Sequence, residues 1–139
     1  MLFAEDLARV GWRCLHFAAG ADLTGDLRRD LAALNVTLFE LDAGAISSKD
    51  ELMDALAGAL KFPGYFGHNW DAVAECLRDL PDRASGDGYV LFLHDGLRMW
   101  RNAPELAGAL VETWLSAAEE AGHDEIGLHL VFLGSAQKG

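Results

Sequence analysis

Cysteine is scarce in this chain: Cys14 and Cys76 are the only two in 139 residues, and no metal-type spacing relates them. A disulfide framework is therefore excluded, and both read as reduced, buried thiols. Long apolar runs are missing as well. None approaches the roughly 18 residues that a membrane helix needs. The opening MLFAEDLARVGWRC carries charges where a secretory signal has its apolar stretch. A cytoplasmic protein without a membrane partner is expected on these grounds. Positive charge is the third shortage, with 11 basic residues against 22 acidic ones and a net charge of −11. Phosphate backbones are bound by clustered Lys and Arg, so no direct nucleic-acid contact is expected. A basic partner fits better, although moderate acidity is also a common route to solubility.

What is present describes one ordinary globular domain. Hydrophobic residues make up 51% of the chain and charged residues 24%, enough apolar surface for a real core. The aromatic WRCLHFAA (12–19) reads as a short strand. Leu23, Leu27, Leu31 and Leu34 then recur at helical spacing, with Asn35 as a stop. VTLFELD (36–42) is a strand by composition. Ser48 and Glu51 have capping-box spacing ahead of a helix lined by Leu52, Met53, Leu56 and Leu60, which Pro63 ends. Pro81 and SGDG (85–88) mark a turn-rich loop. YVLFLH (89–94) is a second strand, followed by a short helical turn in DGLRMWRN. Residues 104–122 begin with proline and end with glycine, as helices do, and Leu106, Leu110, Trp114, Leu115 and Ala118 form the apolar stripe. GLHLVFLG (127–134) is the last strand. Strands at 36, 89 and 127 separated by helices predict an α/β fold with a parallel sheet. The near-continuous apolar runs of the last two predict burial on both faces.

The segment FPGYFGHNWDAVAECLRDL (62–80) poses the functional question. Asn69 stands where a helix N-cap belongs. Stepping 100° per residue puts Trp70, Val73, Cys76, Leu77 and Leu80 on one side of the helix, the core side. Asp71, Glu75 and Asp79 fall together on the other, with Arg78 at its edge. Like charges at this spacing repel by roughly 0.2–0.5 kcal/mol per pair on an exposed helix. The dipole offsets some of that at Asp71, and Arg78 stands three residues from Glu75. Gly64 and Gly67 allow left-handed backbone in the preceding loop and close approach of another surface. A loop so short leaves Tyr65 or Phe66 partly exposed, and an exposed aromatic beside carboxylates is typical of an interface hot spot. An ordinary solvated helix face is the competing interpretation.

The same segment resembles the signature of the barstar family, the intracellular inhibitors of barnase-like ribonucleases. Pro63, Tyr65, Phe66, Gly67, Asn69, Asp71, Glu75, Cys76 and Leu77 match it in order and without gaps. The resemblance extends more loosely over 36–134 and leaves 1–35 as an N-terminal extension. It implies a three-stranded parallel sheet packed by helices, here with an additional N-terminal strand and helix. It also implies no catalytic activity and no cofactor, metal or small-molecule substrate. The partner it implies is a basic ribonuclease of extracellular or toxin type. Asp71 and Glu75 would imitate RNA phosphates against the enzyme's Arg, Lys and His. Tyr65 would pack on its catalytic histidine, and the backbone around Gly67 would touch the rim. The expected partner-binding set is Tyr65, Phe66, Gly67, His68, Asn69, Asp71, Ala74, Glu75 and Asp79. Three positions depart from the type inhibitor: Ala74 replaces a contact tryptophan, Glu75 is one methylene longer than aspartate, and His68 replaces an acidic residue. A further acidic contact on the last long helix aligns near Ala117, with Glu119 and Glu120 close by.

Two rival functions use other features. His68, Asp71 and Glu75 are spaced as metal ligands at a helix start, but their angles spread too widely for a good cluster. Cys76 lies on the apolar side and reads as an inert thiol rather than a nucleophile. His16, His94, His123 and His129 share no motif and default to surface or strand-end positions. The remaining rival is an interaction module of the same fold that inhibits nothing and docks its acidic helix on a different basic partner.

Overall fold

YVLFLH and LHLVFL place apolar side chains at consecutive positions, so whichever strands they form must be covered on both faces. The computed structural model of the protein describes residues 2–20, 24–64 and 67–134. Its elements are α1 (Ala4–Ala8), β1 (Leu15–Ala18), α2 (Gly25–Ala33), β2 (Val36–Asp42), α3 (Lys49–Leu60), α4 (Trp70–Arg78), α5 (Leu80–Arg83), β3 (Gly88–His94), α6 (Gly96–Asn102), α7 (Pro104–His123) and β4 (Gly127–Leu133). The strands form one sheet in the order β1-β4-β3-β2, parallel at every neighbouring pair. The three strands expected from residue 36 onward are there. The aromatic N-terminal segment adds the fourth, with Leu15 to Ala18 opposite Leu130 to Leu133.

The two faces of β3 and β4 sort into two cores. Tyr89, Leu91, Leu93, Leu128, Leu130 and Phe132 point into the larger one, with Leu52, Met53 and Leu56 of α3, Val73 and Leu77 of α4, and Leu110 and Trp114 of α7. Val90, Phe92, Val131 and Leu133 point the other way and are covered by Ala4 and Leu7 of α1 and Leu27 and Leu31 of α2. The segment before residue 36 is thus the second layer of the domain as well as its edge strand.

Several local signals act as the sequence predicts. Ser48 and Glu51 form the reciprocal capping box. Leu52, Met53, Leu56 and Leu60 are all buried. The Trp114 indole N–H reaches the Leu128 carbonyl at 3.1 Å, which satisfies its polar end inside the core. Other expectations are corrected. Pro81 opens α5 instead of a loop, since proline suits the first turn of a helix. Leu34 and Leu115 are exposed, because each helix turns those positions past its apolar stripe. Leu23 lies outside the described residues. Helix α1 is an element that the sequence pattern did not signal; at five residues it is too short to show helical periodicity.

His129 is the clearest correction: it is 1% exposed. Its Nε2–H donates to the Arg9 carbonyl at 2.7 Å, which leaves Nδ1 to accept from His16 Nε2–H at 2.9 Å. The two rings stack with centroids 5.1 Å apart. Gly127 makes room for that carbonyl, since a Cβ there would stand 2.8 Å from it. One buried imidazole therefore pins the chain after α1 and the start of β1 to β4.

Two tests address this second layer. Leu7→Ala should cost about 2–5 kcal/mol in urea unfolding, as a fully buried leucine does when truncated. A change within the error of the midpoint would mean that α1 is not part of the cooperative unit. Burial, helped by neighbouring His129, holds His16 down to about 4 from an ordinary 6.5, and burial lowers His129 too. The unfolded chain then binds more protons than the folded one in that window, so stability should fall as pH drops from 6.5 towards 4. His16→Gln should flatten this slope in a series of denaturant melts.

Candidate functional site

Helix α4 owes its orientation to its composition. Val73, Cys76 and Leu77 are buried against the larger core, and Trp70 packs half-buried at its margin. Asp71, Glu75 and Asp79 are exposed along the opposite side, with Ala74 half-buried beside them. None of the three carboxylates has an ion pair or side-chain hydrogen bond among the described residues. Arg78 does not serve Glu75, as its spacing suggested. It crosses to α7 and pairs with Glu120 at 3.3 Å. The one cation of α4 is thus paired away from the acidic stripe.

The start of the helix is fixed by Asn69. Its Oδ1 accepts from the Ala72 amide at 2.8 Å, and its Nδ2 donates to the Gly67 carbonyl at 3.2 Å. Asp71 sits in the first turn, where the helix dipole favours a negative charge. Asp79 is the C-cap, where the dipole opposes one. Among the described residues between Gly64 and Asn69 the left-handed one is His68, at φ +53, and not Gly64 or Gly67. Gly67 answers to space instead: a Cβ there would lie 3.2 Å from Nδ2 of Asn69. His68 Nδ1 comes within 3.8 Å of Asp54 on α3. Tyr65 and Phe66 lie outside the described residues, so the site as described comprises Gly67, His68, Asn69, Asp71, Ala74, Glu75 and Asp79.

The other end of the loop is tied down by a residue that the sequence did not single out. Helix α3 ends with Lys61 in the left-handed region at φ +55, and the Phe62 amide returns to the Ala57 carbonyl at 3.0 Å. Arg83 of α5 then donates to the Lys61 carbonyl at 3.0 Å and to the Cys76 carbonyl at 2.5 Å. Its guanidinium also lies over the Phe62 ring, 5.7 Å from the centroid. One planar, five-donor group thus joins the end of α3 to the last turns of α4. No local pattern announces this, because Arg83 is 22 residues from Lys61 and its partners are backbone carbonyls.

The rival chemistries draw on His68, Asp71, Glu75 and Cys76. Among the described residues no group of three or more His, Cys, Asp and Glu is placed to hold a metal ion. Burial pushes the Cys76 thiol up, which leaves little thiolate for nucleophilic work. Cys14 is also a buried free thiol. No helix among the described residues is long and apolar enough to cross a membrane. On α7, Ala117 is fully buried and presents nothing to a partner. Glu120 is committed to Arg78, while Glu119 is exposed.

Arg83→Ala should cost roughly 1–2 kcal/mol, because charged donors leave two carbonyls less well satisfied at a partly solvated site. More telling is hydrogen exchange. The amides of residues near 61–69 should exchange faster while those of β3 and β4 do not. Uniform acceleration over the whole domain would show that Arg83 has no special hold on the loop.

No curated protein matches the chain. The barstar (barnase inhibitor) family matches residues 36–133, from the first residue of β2 to the last of β4. The matched stretch contains the parallel core strands, the capped acidic helix and both helices that Arg83 joins, and it spans well over half of the sequence. The chain belongs to the barstar family.

Proposed function

We propose that the protein is an inhibitor, of the antitoxin or immunity type, of a basic barnase-like ribonuclease, and that α4 and the loop before it close the enzyme's active site. The observation that carries this reading is the set of exposed carboxylates of Asp71, Glu75 and Asp79, which have no cationic partner among the described residues. Their backbone is held by a buried opposite face, by the Asn69 cap and by Arg83. A site that binds a polyanion is lined by Arg, Lys and His. Carboxylates at successive turns of a rigid helix meet those groups as charge-assisted hydrogen bonds, with little ordering left to do on binding.

In this reading Asp71 and Glu75 stand in for RNA phosphates. Tyr65 and Phe66 supply apolar contact on the loop, Gly67 offers backbone to the rim, and His68 and Asp79 flank the stripe. Asn69 acts by holding the helix start. Ala74 leaves the middle of the surface without an aromatic anchor, so more of the affinity falls to charge. A net charge of −11 also draws a basic enzyme inward and makes encounter salt-sensitive. Charge steering of this kind is best known from the barnase–barstar pair itself, and only its direction is carried over.

The test is a titration of the full chain against a panel of small basic ribonucleases, read by calorimetry and by RNA cleavage. Stoichiometric inhibition of at least one member is expected. Asp71→Ala/Glu75→Ala should weaken it on the order of a hundredfold or more, since each truncation strands a buried cation of the enzyme. The same double variant should keep its stability within about 0.5 kcal/mol, because it removes exposed side chains that repel each other. Binding without loss of cleavage, or no binding to any of them, would favour a different basic partner.

A further inference from the structure

We infer that the free edge of β1 is a self-association surface, on which a second copy of this chain docks by antiparallel strand pairing. The two edges of the sheet are treated differently. At the β2 edge Glu40 is engaged by Arg28 of α2 and by His94 at 2.6 Å, and Asp42 is exposed, so charge blunts the strand. The β1 edge has neither charge nor proline between Leu15 and Ala18. The Cys14 and Ala18 carbonyls accept from the Leu130 amide at 2.8 Å and the Gly134 amide at 2.7 Å. Alternate peptide groups therefore face β4, and the N–H and C=O groups of Leu15 and Phe17 face outward.

Apolar side chains surround that edge. Trp12 is 81% exposed, Phe17 55%, Val10 46% and Leu115 41%. Phe17 stacks on Phe132 with centroids 5.4 Å apart, so its outer face is held in place and uncovered. Two grooves meet at Trp12. One runs past Asp6, Arg9, Arg13, His16 and Phe17 to Leu115. The other, of about 500 Å³, runs past Val10, Cys14 and Leu115 to Glu119 and His123.

Charge permits a second copy, and the pattern of the edge selects it. Residues 7–20 contain no Asp or Glu, an unusual stretch in a chain with 22 of them. Arg9 and Arg13 have no ion pair among the described residues, and neither do the exposed Glu112 and Glu119 on the adjoining face of α7. The edge matches itself: two outward residues, Leu15 and Phe17, flank one inward residue, so an antiparallel second copy repeats each backbone pairing about a twofold axis. The register that uses both outward residues is centred on His16, with Leu15 opposite Phe17 of the second copy. Each outward N–H and C=O then finds a partner, and Leu15 covers the open face of Phe17 across the seam.

The experiment is light scattering and sedimentation of the full chain, with hydrogen exchange at low and high protein concentration. A dimer is expected, in which the Leu15 and Phe17 amides slow by about tenfold or more on association. The His16 amide, already bonded to β4, should not change. Trp12→Ser, at a largely exposed ring whose recorded contact is the Arg13 guanidinium 5.1 Å from its centroid, should give a monomer of nearly unchanged melting temperature. Phe17→Pro, which removes one outward donor, should do the same or lower stability. A wild-type monomer at every concentration would overturn the inference. So would a dimer that survives Trp12→Ser while the Leu15 and Phe17 amides exchange freely.

Discussion

Two strands that are apolar on both faces set the terms for the rest of this molecule. Side chains of β3 and β4 alternate between two cores, so neither face can be left to water. Helices α3, α4 and α7 cover one face, and the segment before residue 36 must cover the other. Without Leu7, Leu27 and Leu31, the side chains of Val90, Phe92, Val131 and Leu133 would form a contiguous exposed patch of the kind monomers avoid. The family match begins at residue 36, yet the family portion of this chain is not covered without what precedes it. The buried His129 fits the same logic. A polar side chain in that layer has to be hydrogen-bonded, and the partners it finds, the Arg9 carbonyl and His16, both belong to the N-terminal segment.

The acidic helix is a by-product of the same packing until its charges are considered. Burying Val73, Cys76 and Leu77 fixes which side of α4 faces water. Repulsion along Asp71, Glu75 and Asp79 amounts to a few tenths of a kcal/mol per pair, small beside the roughly 1.5–3 kcal/mol from each large apolar side chain buried opposite. The fold therefore tolerates the stripe easily. What it does not require is that the stripe be left unpaired, and here the geometry is informative. Arg78 is close enough in sequence to neutralise Glu75, but it reaches Glu120 on α7 instead. The interaction that ties α4 to α7 also takes the helix's own cation away from the stripe.

Legibility in the sequence followed the range of the interactions. The capping box of Ser48 and Glu51, the Asn69 cap and the two-sided burial of β3 and β4 are encoded within a few residues, and each could be read directly. The acidic stripe was legible for the same reason, since its three members share one helix. Arg83 was not, because its partners are main-chain carbonyls in two other helices. The His16–His129 pair was not, because its members are 113 residues apart and are joined only by the parallel register of β1 and β4. Leu34 and Leu115 show the opposite failure. Periodicity assigned them to the core, but a helix covers only as much surface as its neighbour presents, and both positions fall beyond that limit.

Charge is also distributed unevenly along the chain, and the asymmetry separates its two exposed surfaces by chemistry. Residues 71–79 hold three carboxylates and residues 7–20 two arginines and no carboxylate, and none of these five groups has an ion pair among the described residues. Two arginines stand on or beside α4, but Arg78 is engaged by Glu120 and Arg83 by main-chain carbonyls, so neither is paired with the stripe. Along β1 itself, carboxylates would set two copies of a strongly acidic chain against each other, and the strand has none. The seam at β1 also adds nothing to α4, whose neighbours are the core, α5 and α7. The proposed association through β1 and the proposed capture of a basic partner through α4 thus draw on different side chains of the same protomer.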